Sequence, residues 1–412
     1  SEYVRLIFEE LGIIEGFDKN EKPLYNELFL CHDPQERLLK DGKFQEGLVP
    51  NRGLSKKDRA DVDRFFKIIR TYREKIGRDG KPAFAIPLDL SSQDPEYVEL
   101  DNISMADWMA KNDFSTKPIN WYVRYCCRDD YGANPDSVSA WAGIHYFAGR
   151  RGTAGNAAQN SVVTWPEGNG YIVDKLKTQL ADHILTSAMA TAIEQKDGQV
   201  KTRFFQPGDN RYGQALCDYL VFCAPRFVAD HVIKNEPESR IGNLDYAPWL
   251  VANISLSSIP SSNGVELSWD NVSYYSESLG YVVSTHQSIT TRVDGPTVIT
   301  YYFPLTSDKP AIERQRLLST NKEIWAELIV KDLEKMHPGI KENIQNIDLW
   351  PWGHGMIQPS PGFLFSESRK QMLLDCGRII FAHSDMSGIS NFEEAQYRGV
   401  EAAKKILSLA RT

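Results

Sequence analysis

The chain has 412 residues, 42% of them hydrophobic and 25% charged, with a formal net charge of −8. These proportions exclude a disordered or fibrous protein, the length predicts more than one domain, and the acidic charge argues against a nucleic-acid-binding surface while suiting a cationic partner. Because no apolar run approaches the roughly 18 residues that a membrane span needs, we expect a soluble protein of the cytoplasm or the periplasm.

Helices and loops dominate the first part of the chain, residues 1–164, which we expect to form a substrate or cover region. The spacing of apolar residues predicts a helix at the start and a charged helix over about 55–76. A further helix begins at the capping residue Ser104. Because residues 15–60 are polar and interrupted by prolines and glycines, no strand is predicted within the first 130 residues.

A different pattern begins at residue 165. The stretch "WPEGNGYIVDKLKTQLADH" predicts a glycine-containing turn that enters a helix, and two short strands are expected on either side of the Asp197–Gly198 hairpin turn. Another strand, "DYLVF", ends shortly before Pro225. This order of turn, helix, hairpin and strand predicts that residues 165–235 belong to an α/β nucleotide-binding domain.

Four β-rich runs separated by turn residues follow between Trp249 and Pro304. They predict one antiparallel sheet, and an amphipathic helix over about 310–336 comes next. We assign residues 236–345 to the sheet and helix of a substrate domain.

The last segment, residues 346–412, closes with a strand over about 378–382, a polar turn and an amphipathic helix. The first turn of that helix carries Glu393 and Glu394. A strand, a short polar loop and a helix N-terminus together present backbone N–H groups and a positive dipole to an anionic ligand. The segment therefore returns the chain to the α/β domain.

The cysteines show neither a CxxC pair nor the Cys/His spacing of a zinc site, so no metal site is predicted from them. We interpret most of them as reduced core residues and leave open whether any two of them form a disulfide. The six are Cys31, Cys126, Cys127, Cys217, Cys223 and Cys376.

The closing stretch "FAHSDMSGISNFEEAQYRG" resembles the C-terminal flavin-binding signature of the FAD-dependent amine oxidases. The resemblance implies that Ser384, Asp385, Phe392 and Glu393 bind FAD, with Asp385 beside the ribityl-pyrophosphate part. His383 stands where the family has glycine. Without the resemblance, the same residues would be an ordinary strand, loop and helix closing an α/β domain.

Two earlier stretches resemble the same family. "TWPEGNGYIVDKL" is similar to the turn and helix that place backbone against the flavin, which implies cofactor contacts at Gly168, Asn169 and Gly170. "SAMATAIE" resembles the strand whose backbone pairs with adenine, which implies a contact at Ala190. Taken alone, the first stretch would be a turn and the second a core strand.

The block "WYVRYCCRDDYGANPDSVSAWAGIHYFAGR" is similar to the spermidine dehydrogenase branch of the flavin amine oxidase superfamily. Within it, Asp129 and Asp130 have two interpretations. Their carboxylates could attract a polyamine, or the residues could form a turn before Asn134 and Pro135.

The stretch "LWPWGHGMIQPSPG" precedes the closing signature at the place where amine oxidases set aromatic residues beside the isoalloxazine ring. The resemblance implies catalytic roles for Trp352 and His354, because an aromatic wall attracts a cationic amine and an imidazole can take up a proton. The alternative is a buried corner of tryptophans and prolines with a structural histidine.

The resemblance implies an α/β fold in which a discontinuous, amine-oxidase-like FAD-binding domain is interleaved with an α+β substrate domain. The family's N-terminal Rossmann βαβ unit, with its G-x-G-x-x-G motif, is absent from this chain. We therefore expect that unit to be truncated, to lie before the first residue, or to be supplied by a second chain.

The function implied is that of an FAD-dependent oxidoreductase that oxidises a C–N bond of an amine or polyamine by hydride transfer to the flavin. Two alternatives stay open: a flavin desaturase or isomerase that acts on a C–C bond, and a non-catalytic subunit completed by another chain. An acid-lined aromatic pocket would favour the amine, whereas an apolar tunnel would favour the desaturase.

Overall fold

The computed structural model describes residues 1–235, 244–258, 260–288 and 295–410. Helices predominate in the first 180 residues, with two pairs of short strands near the start. In chain order these elements are α1 (Glu2–Glu10), β1 (Ile14–Phe17), β2 (Pro23–Tyr25), β3 (Glu36–Lys40), β4 (Lys43–Glu46), α2 (Lys56–Glu74), α3 (Pro95–Val98), α4 (Met105–Lys111), α5 (Lys117–Tyr131), α6 (Ala140–Ala148) and α7 (Gly170–Leu180).

Strands predominate in the rest of the chain. In order, the elements are β5 (Met189–Lys196), β6 (Gln199–Gln206), β7 (Arg211–Cys217), β8 (Leu220–Phe222), α8 (Arg226–Val232), β9 (Tyr246–Leu256), β10 (Asp270–Ser273), β11 (Tyr281–Val283), β12 (Thr297–Pro304), α9 (Pro310–Ser319), α10 (Lys322–Met336), β13 (Ile344–Ile357), α11 (Glu367–Met372), β14 (Ile379–Phe381) and α12 (Phe392–Leu409).

Local sequence signals explain several of these boundaries. The Ser55 side chain accepts from the Asp58 N–H while the Asp58 carboxylate accepts from the Ser55 N–H, a capping box that starts α2. Asp197 and Gly198 both have positive φ, as the tight turn between β5 and β6 requires. Gly132, with φ of +60°, ends α5 in the left-handed conformation that only glycine adopts without strain.

A seven-stranded sheet in the order β13-β9-β12-β11-β10-β3-β4 organises the larger part of the molecule. Its two faces are covered differently. One face buries Leu250, Ala252 and Ile254 of β9 against α9 and α10. The other face directs Trp249 toward the core formed with helices α2, α4, α5 and α6. Side chains of successive strand residues point to opposite faces, so Trp249 and Val251 share the second face.

A smaller unit completes the fold. Strands β5, β6 and β7 form an antiparallel sheet, and β8 and β14 form a parallel pair. Ile193 of β5 packs in one core with Phe222 and Phe381 of that pair. On the other side of the pair, Ile380 packs against Ala402 of α12. Strand β14 therefore packs against the middle of the last helix.

Four expectations about secondary structure need correction. Strands β1 to β4 lie within the first 130 residues, where none was predicted, and β3 finds its partner β10 more than 200 residues later. That β10–β3 pair is parallel, so the sheet is mixed and not purely antiparallel. The helix expected over 310–336 is two helices, α9 and α10. Residues 344–357 form an edge strand where no strand was expected.

Other expectations are confirmed. The turn before α7, the β5–β6 hairpin, strand β8, strand β14 and the helix that begins at Phe392 are all present. Four cysteines are buried and none of the six is in a disulfide. No helix within the described ranges combines the length and the apolar composition that crossing a bilayer demands.

Candidate active site

A cavity of about 650 Å³ lies where the second face of the large sheet meets the end of β14. Strands β9, β12 and β13 contribute its aromatic wall, and the turn after β14 contributes a polar wall. Asp129, from the last turn of α5, lines the cavity as well. A cleft with apolar walls and a few convergent polar groups is the usual form of a small-molecule site.

The aromatic wall follows from strand register. Trp352 of β13 and Trp249 of β9 are directly paired, and Tyr302 of β12 is paired with Val251, two residues further along β9. These side chains therefore lie on one face of the sheet. Trp352 is 55% exposed, whereas Trp249 is 8% exposed and its indole N–H has no acceptor among the described residues.

His354 is held by ring contacts. Its imidazole stacks on Phe227 with ring centroids 4.2 Å apart and meets the edge of Tyr246 at 5.6 Å. Partial removal from water, and then the charge of Arg314, lower the pKa of His354. The imidazole is therefore neutral near pH 7 and free to accept a proton.

Asp385 is fixed at the carboxyl end of β14, in the short 3₁₀ turn Ser384–Ser387. Its carboxylate accepts from the Tyr246 hydroxyl at 2.7 Å and from the Arg226 backbone N–H at 2.9 Å. Burial by itself would raise the pKa of Asp385. His383, whose Nδ1 lies 3.2 Å from Asp385 Oδ1, lowers this pKa, and so do the two hydrogen-bond donors. Asp385 is therefore a rigid carboxylate at neutral pH.

Asp129 differs from Asp385 in having no partner among the described residues. Its carboxylate accepts no hydrogen bond and joins no ion pair within the described part of the chain. Burial and then the neighbouring charge of Asp130 raise the pKa of Asp129 to about 7, against the opposing effect of Arg150. The turn interpretation of Asp129 and Asp130 is wrong, since both residues lie within α5, which continues to Tyr131.

The structure brings together four of the predicted cofactor-binding and catalytic residues, together with Asp129. Trp352, His354, Ser384 and Asp385 all line the cavity, although Trp352 and His354 precede the closing signature by about thirty positions. His383, which replaces the family glycine, lines it as well.

The other predicted cofactor residues lie on neighbouring elements and not in the lining of this cavity. Gly168, Asn169 and Gly170 form an exposed turn at the start of α7, and Ala190 is exposed on β5, paired with Phe204. Phe392 begins α12 and packs near Trp165, while Glu393 follows in its first turn. Their roles as FAD ligands stay predictions.

Several lining residues carried no signal in the sequence. Tyr246, Trp249 and Tyr302 are aromatic residues of strands, a type that sheets use everywhere. Only their common face and the register of three strands make them a wall. Asp129 was a candidate from the sequence, but only the packing of α5 against that wall places it in the cavity.

Comparisons with known proteins give a distant relative in sequence. No family model matches the chain. Over 301 residues it is 24% identical to the oxidoreductase PigB of Serratia sp. (strain ATCC 39006), a match that covers 65% of this chain. The chain spans about 41% of the length of that curated relative.

Solved structures match over nearly the whole chain. A putrescine oxidase bound to putrescine has a TM-score of 0.67 at 11% identity, covering 99% of this chain and 86% of its own. The cyclohexylamine oxidase of Brevibacterium oxydans IH-35A has a TM-score of 0.62 at 13% identity, covering 93% and 82%. A fatty acid isomerase of P. acnes that produces CLA has a TM-score of 0.61 at 14% identity, covering 98% and 84%.

At these identities the likeness establishes the fold. The chain has the mixed α/β fold shared by these proteins, as the resemblance implied. The interleaved division into domains and the absence of the N-terminal βαβ unit stay predictions.

Proposed function

We propose that the chain is a flavin-dependent oxidoreductase that binds FAD beside Asp385 and oxidises a carbon–nitrogen bond of an amine. Three findings support the proposal: the likeness in fold to the putrescine and cyclohexylamine oxidases, the distant similarity to an oxidoreductase, and the resemblance of the closing stretch to a flavin-binding signature.

The residues present suit such a cofactor. Asp385 lies just beyond the carboxyl end of a parallel strand and ahead of a helix N-terminus, the place where α/β proteins bind nucleotides. Ser384 and Asp385 would hold the cofactor there, and the orphan N–H of Trp249 offers a donor in the same cavity. When bound, FAD supplies the hydride acceptor.

The charge of the cavity is the observation that favours an amine. Among the described residues that line it, Asp129 and Asp385 are acidic, and there is no lysine or arginine. Together with the faces of Trp249, Trp352 and Tyr302, these carboxylates attract a cation. The fatty acid isomerase shares the fold, but the carboxylate of a fatty acid would be repelled by the unpaired Asp129.

The residues of the chain bind the amine and accept one proton from it. A protonated amine enters between the aromatic rings, and the neutral imidazole of His354 takes up its proton, leaving the nitrogen lone pair free. Phe227 and Tyr246 hold that imidazole in place.

The first test is the spectrum of the purified protein and its response to substrates without oxygen. We expect a flavin absorbance band that a primary amine bleaches and an unsaturated fatty acid does not. A band that neither compound bleaches would contradict amine oxidation. A protein that binds no flavin, even after FAD is added, would contradict the proposal and support a non-catalytic subunit.

A pair of variants tests the aromatic wall. Trp350 and Trp352 share one face of β13 and are 53% and 55% exposed, but only Trp352 lines the cavity. Trp352→Ala should lower the rate of flavin bleaching by about tenfold or more, through loss of a cation–π contact and of orientation. Trp350→Ala is the matched control and should leave the rate unchanged; equal effects would contradict the site.

A further inference from the structure

We infer that Asp89 is a positioning residue for FAD, because it fixes the turn that carries Asp385. It acts through two arginines, Arg369 and Arg398. Asp89 lies in the short 3₁₀ turn Leu88–Leu90 between α2 and α3, in the helical first part of the chain. The inference rests on the proposed binding of FAD beside Asp385, and it adds a residue that lies outside every stretch that resembles a flavin-binding motif.

The two arginines hold the turn that follows β14. Arg369 Nη1 donates to the Met386 carbonyl at 2.7 Å, and Arg398 Nε donates to the Ser387 hydroxyl at 2.9 Å. Both arginines are buried. These two acceptors come one and two residues after Asp385, so the donors restrict how far its carboxylate can move.

Asp89 accepts from both arginines. Its two carboxylate oxygens lie 2.7 and 2.9 Å from the terminal nitrogens of Arg398, and one of them lies 3.5 Å from Arg369 Nη2. Bidentate pairing of this kind fixes the plane of a guanidinium as well as its position. Burial alone would raise the pKa of Asp89, but Arg398 and then Arg369 lower it. Asp89 is therefore a charged carboxylate at neutral pH.

Asp89 is also the one acid that pairs with either arginine in the described part of the chain. Without its charge, two buried guanidinium groups would lack a counter-charge, and buried charges of this kind are costly. We expect them to turn toward water. Because their remaining donors end on Met386 and Ser387, the turn would move with them.

A second contact joins the same two parts of the chain. The Leu88 N–H donates to Glu394 Oε1 at 2.6 Å, and Glu394 is a fully buried residue in the first turn of α12. Adjacent residues of one turn thus contact adjacent turns of one helix, since Arg398 follows Glu394 by four positions. A support that is rigid before the cofactor arrives raises affinity, because less has to be ordered on binding.

The test measures the affinity for FAD and needs no substrate. Flavin is removed from the full chain, and the rebinding of FAD is followed by the change in flavin fluorescence. We expect Asp89→Asn to weaken FAD binding about tenfold, within the range for changes in a coupled network. Asp89→Glu keeps the charge and should restore part of the affinity. Arg398→Lys should resemble Asp89→Asn, because one ammonium group cannot reproduce the contacts to Asp89 and Ser387 together.

The control for a general loss of stability is Asp332→Asn. Asp332 is buried on α10 and accepts from the hydroxyl groups of Ser276, Ser278 and Tyr301, away from the turn. This variant should be destabilised and yet bind FAD as the parent does. Ser387→Ala keeps every charge and should weaken FAD binding about threefold, which keeps the test decisive if Asp89→Asn does not fold.

Unchanged FAD affinity in Asp89→Asn, Arg398→Lys and Ser387→Ala, or an equal loss in Asp332→Asn, would overturn the inference. Additive effects of Asp89→Asn and Arg398→Lys in the double variant would also overturn it, because residues that share one contact are not additive. A parent protein that binds no FAD would overturn the proposed function and this inference with it. A parent that binds FAD while the variants bind it equally well overturns the positioning role alone.

Discussion

The unpaired Asp129 makes a prediction about stability that does not depend on any ligand. Its pKa in the folded protein is raised, so folding favours the protonated carboxyl group. A group of this kind contributes stability that is fully present below the pKa of the unfolded chain, about 3.9, and is lost as the pH rises through about 7. Asp129→Asn abolishes that loss, because asparagine stays neutral.

The magnitude follows from the two pKa values. The difference between about 7 folded and about 3.9 unfolded corresponds to about 4 kcal/mol once the folded carboxylate is fully charged. Water in the cavity reaches part of the side chain and screens its charge, so roughly 1 to 2 kcal/mol should remain. Asp129→Asn should therefore be more stable than the parent protein by this amount at about pH 8 and equally stable near pH 4.

Urea unfolding at these two pH values, followed by tryptophan fluorescence, measures the difference. Asp136→Asn serves as the control and should match the parent at both, since its carboxylate is exposed. A stability difference that does not change with pH, or an Asp129→Asn protein that is less stable at about pH 8, would refute the view that this carboxylate is held without a partner.

Three further predictions concern the framework of the site. Asp89→Asn should destabilise the protein by about 3 kcal/mol in thermal unfolding, because Asp89 pairs with Arg398 at 2.7 and 2.9 Å and with Arg369 at 3.5 Å. The control Glu367→Gln removes an exposed carboxylate and should change the stability little. Gly132→Ala should lower the free energy of unfolding by about 2 to 4 kcal/mol, since an added Cβ would lie 2.4 Å from Ala247 Cβ and 2.6 Å from Trp249 Nε1. The control is Gly12→Ala, because Gly12 also has a positive φ, +69°, but open space around it, so that this variant measures the backbone strain alone. Equal losses of stability in the two variants would contradict the close contact at Gly132. A thiol reagent should label Cys223 fastest in the native protein, Cys217 more slowly and the four buried cysteines only after unfolding; rapid labelling of Cys126 would contradict the packing of α5.

Sequence patterns that span about ten residues were sufficient to predict part of the fold. The turn before α7, the Asp197–Gly198 hairpin and the closing strand, turn and helix each depend on local backbone preferences and on one amphipathic face. The same closing stretch marks Ser384 and Asp385, because a loop between a strand and a helix N-terminus has a chemical meaning that the sequence carries by itself.

Long-range pairing decided the rest. Strand β3 is short and polar at both ends, and only its parallel partner β10 makes it part of the sheet. Residues 344–357 contain Pro351 and two glycines, which lower strand propensity, yet an edge strand tolerates them because only one side pairs with β9.

The sequence by itself determined the local elements and the segment that resembles a flavin-binding signature. The tertiary structure decided which residues stand around the cavity: the register of β9, β12 and β13 puts Trp249, Tyr302 and Trp352 on one face, and the packing of α5 adds Asp129. The reason is physical. Backbone preferences act between near neighbours, whereas a cavity wall consists of side chains from distant segments whose positions follow from sheet register and core packing.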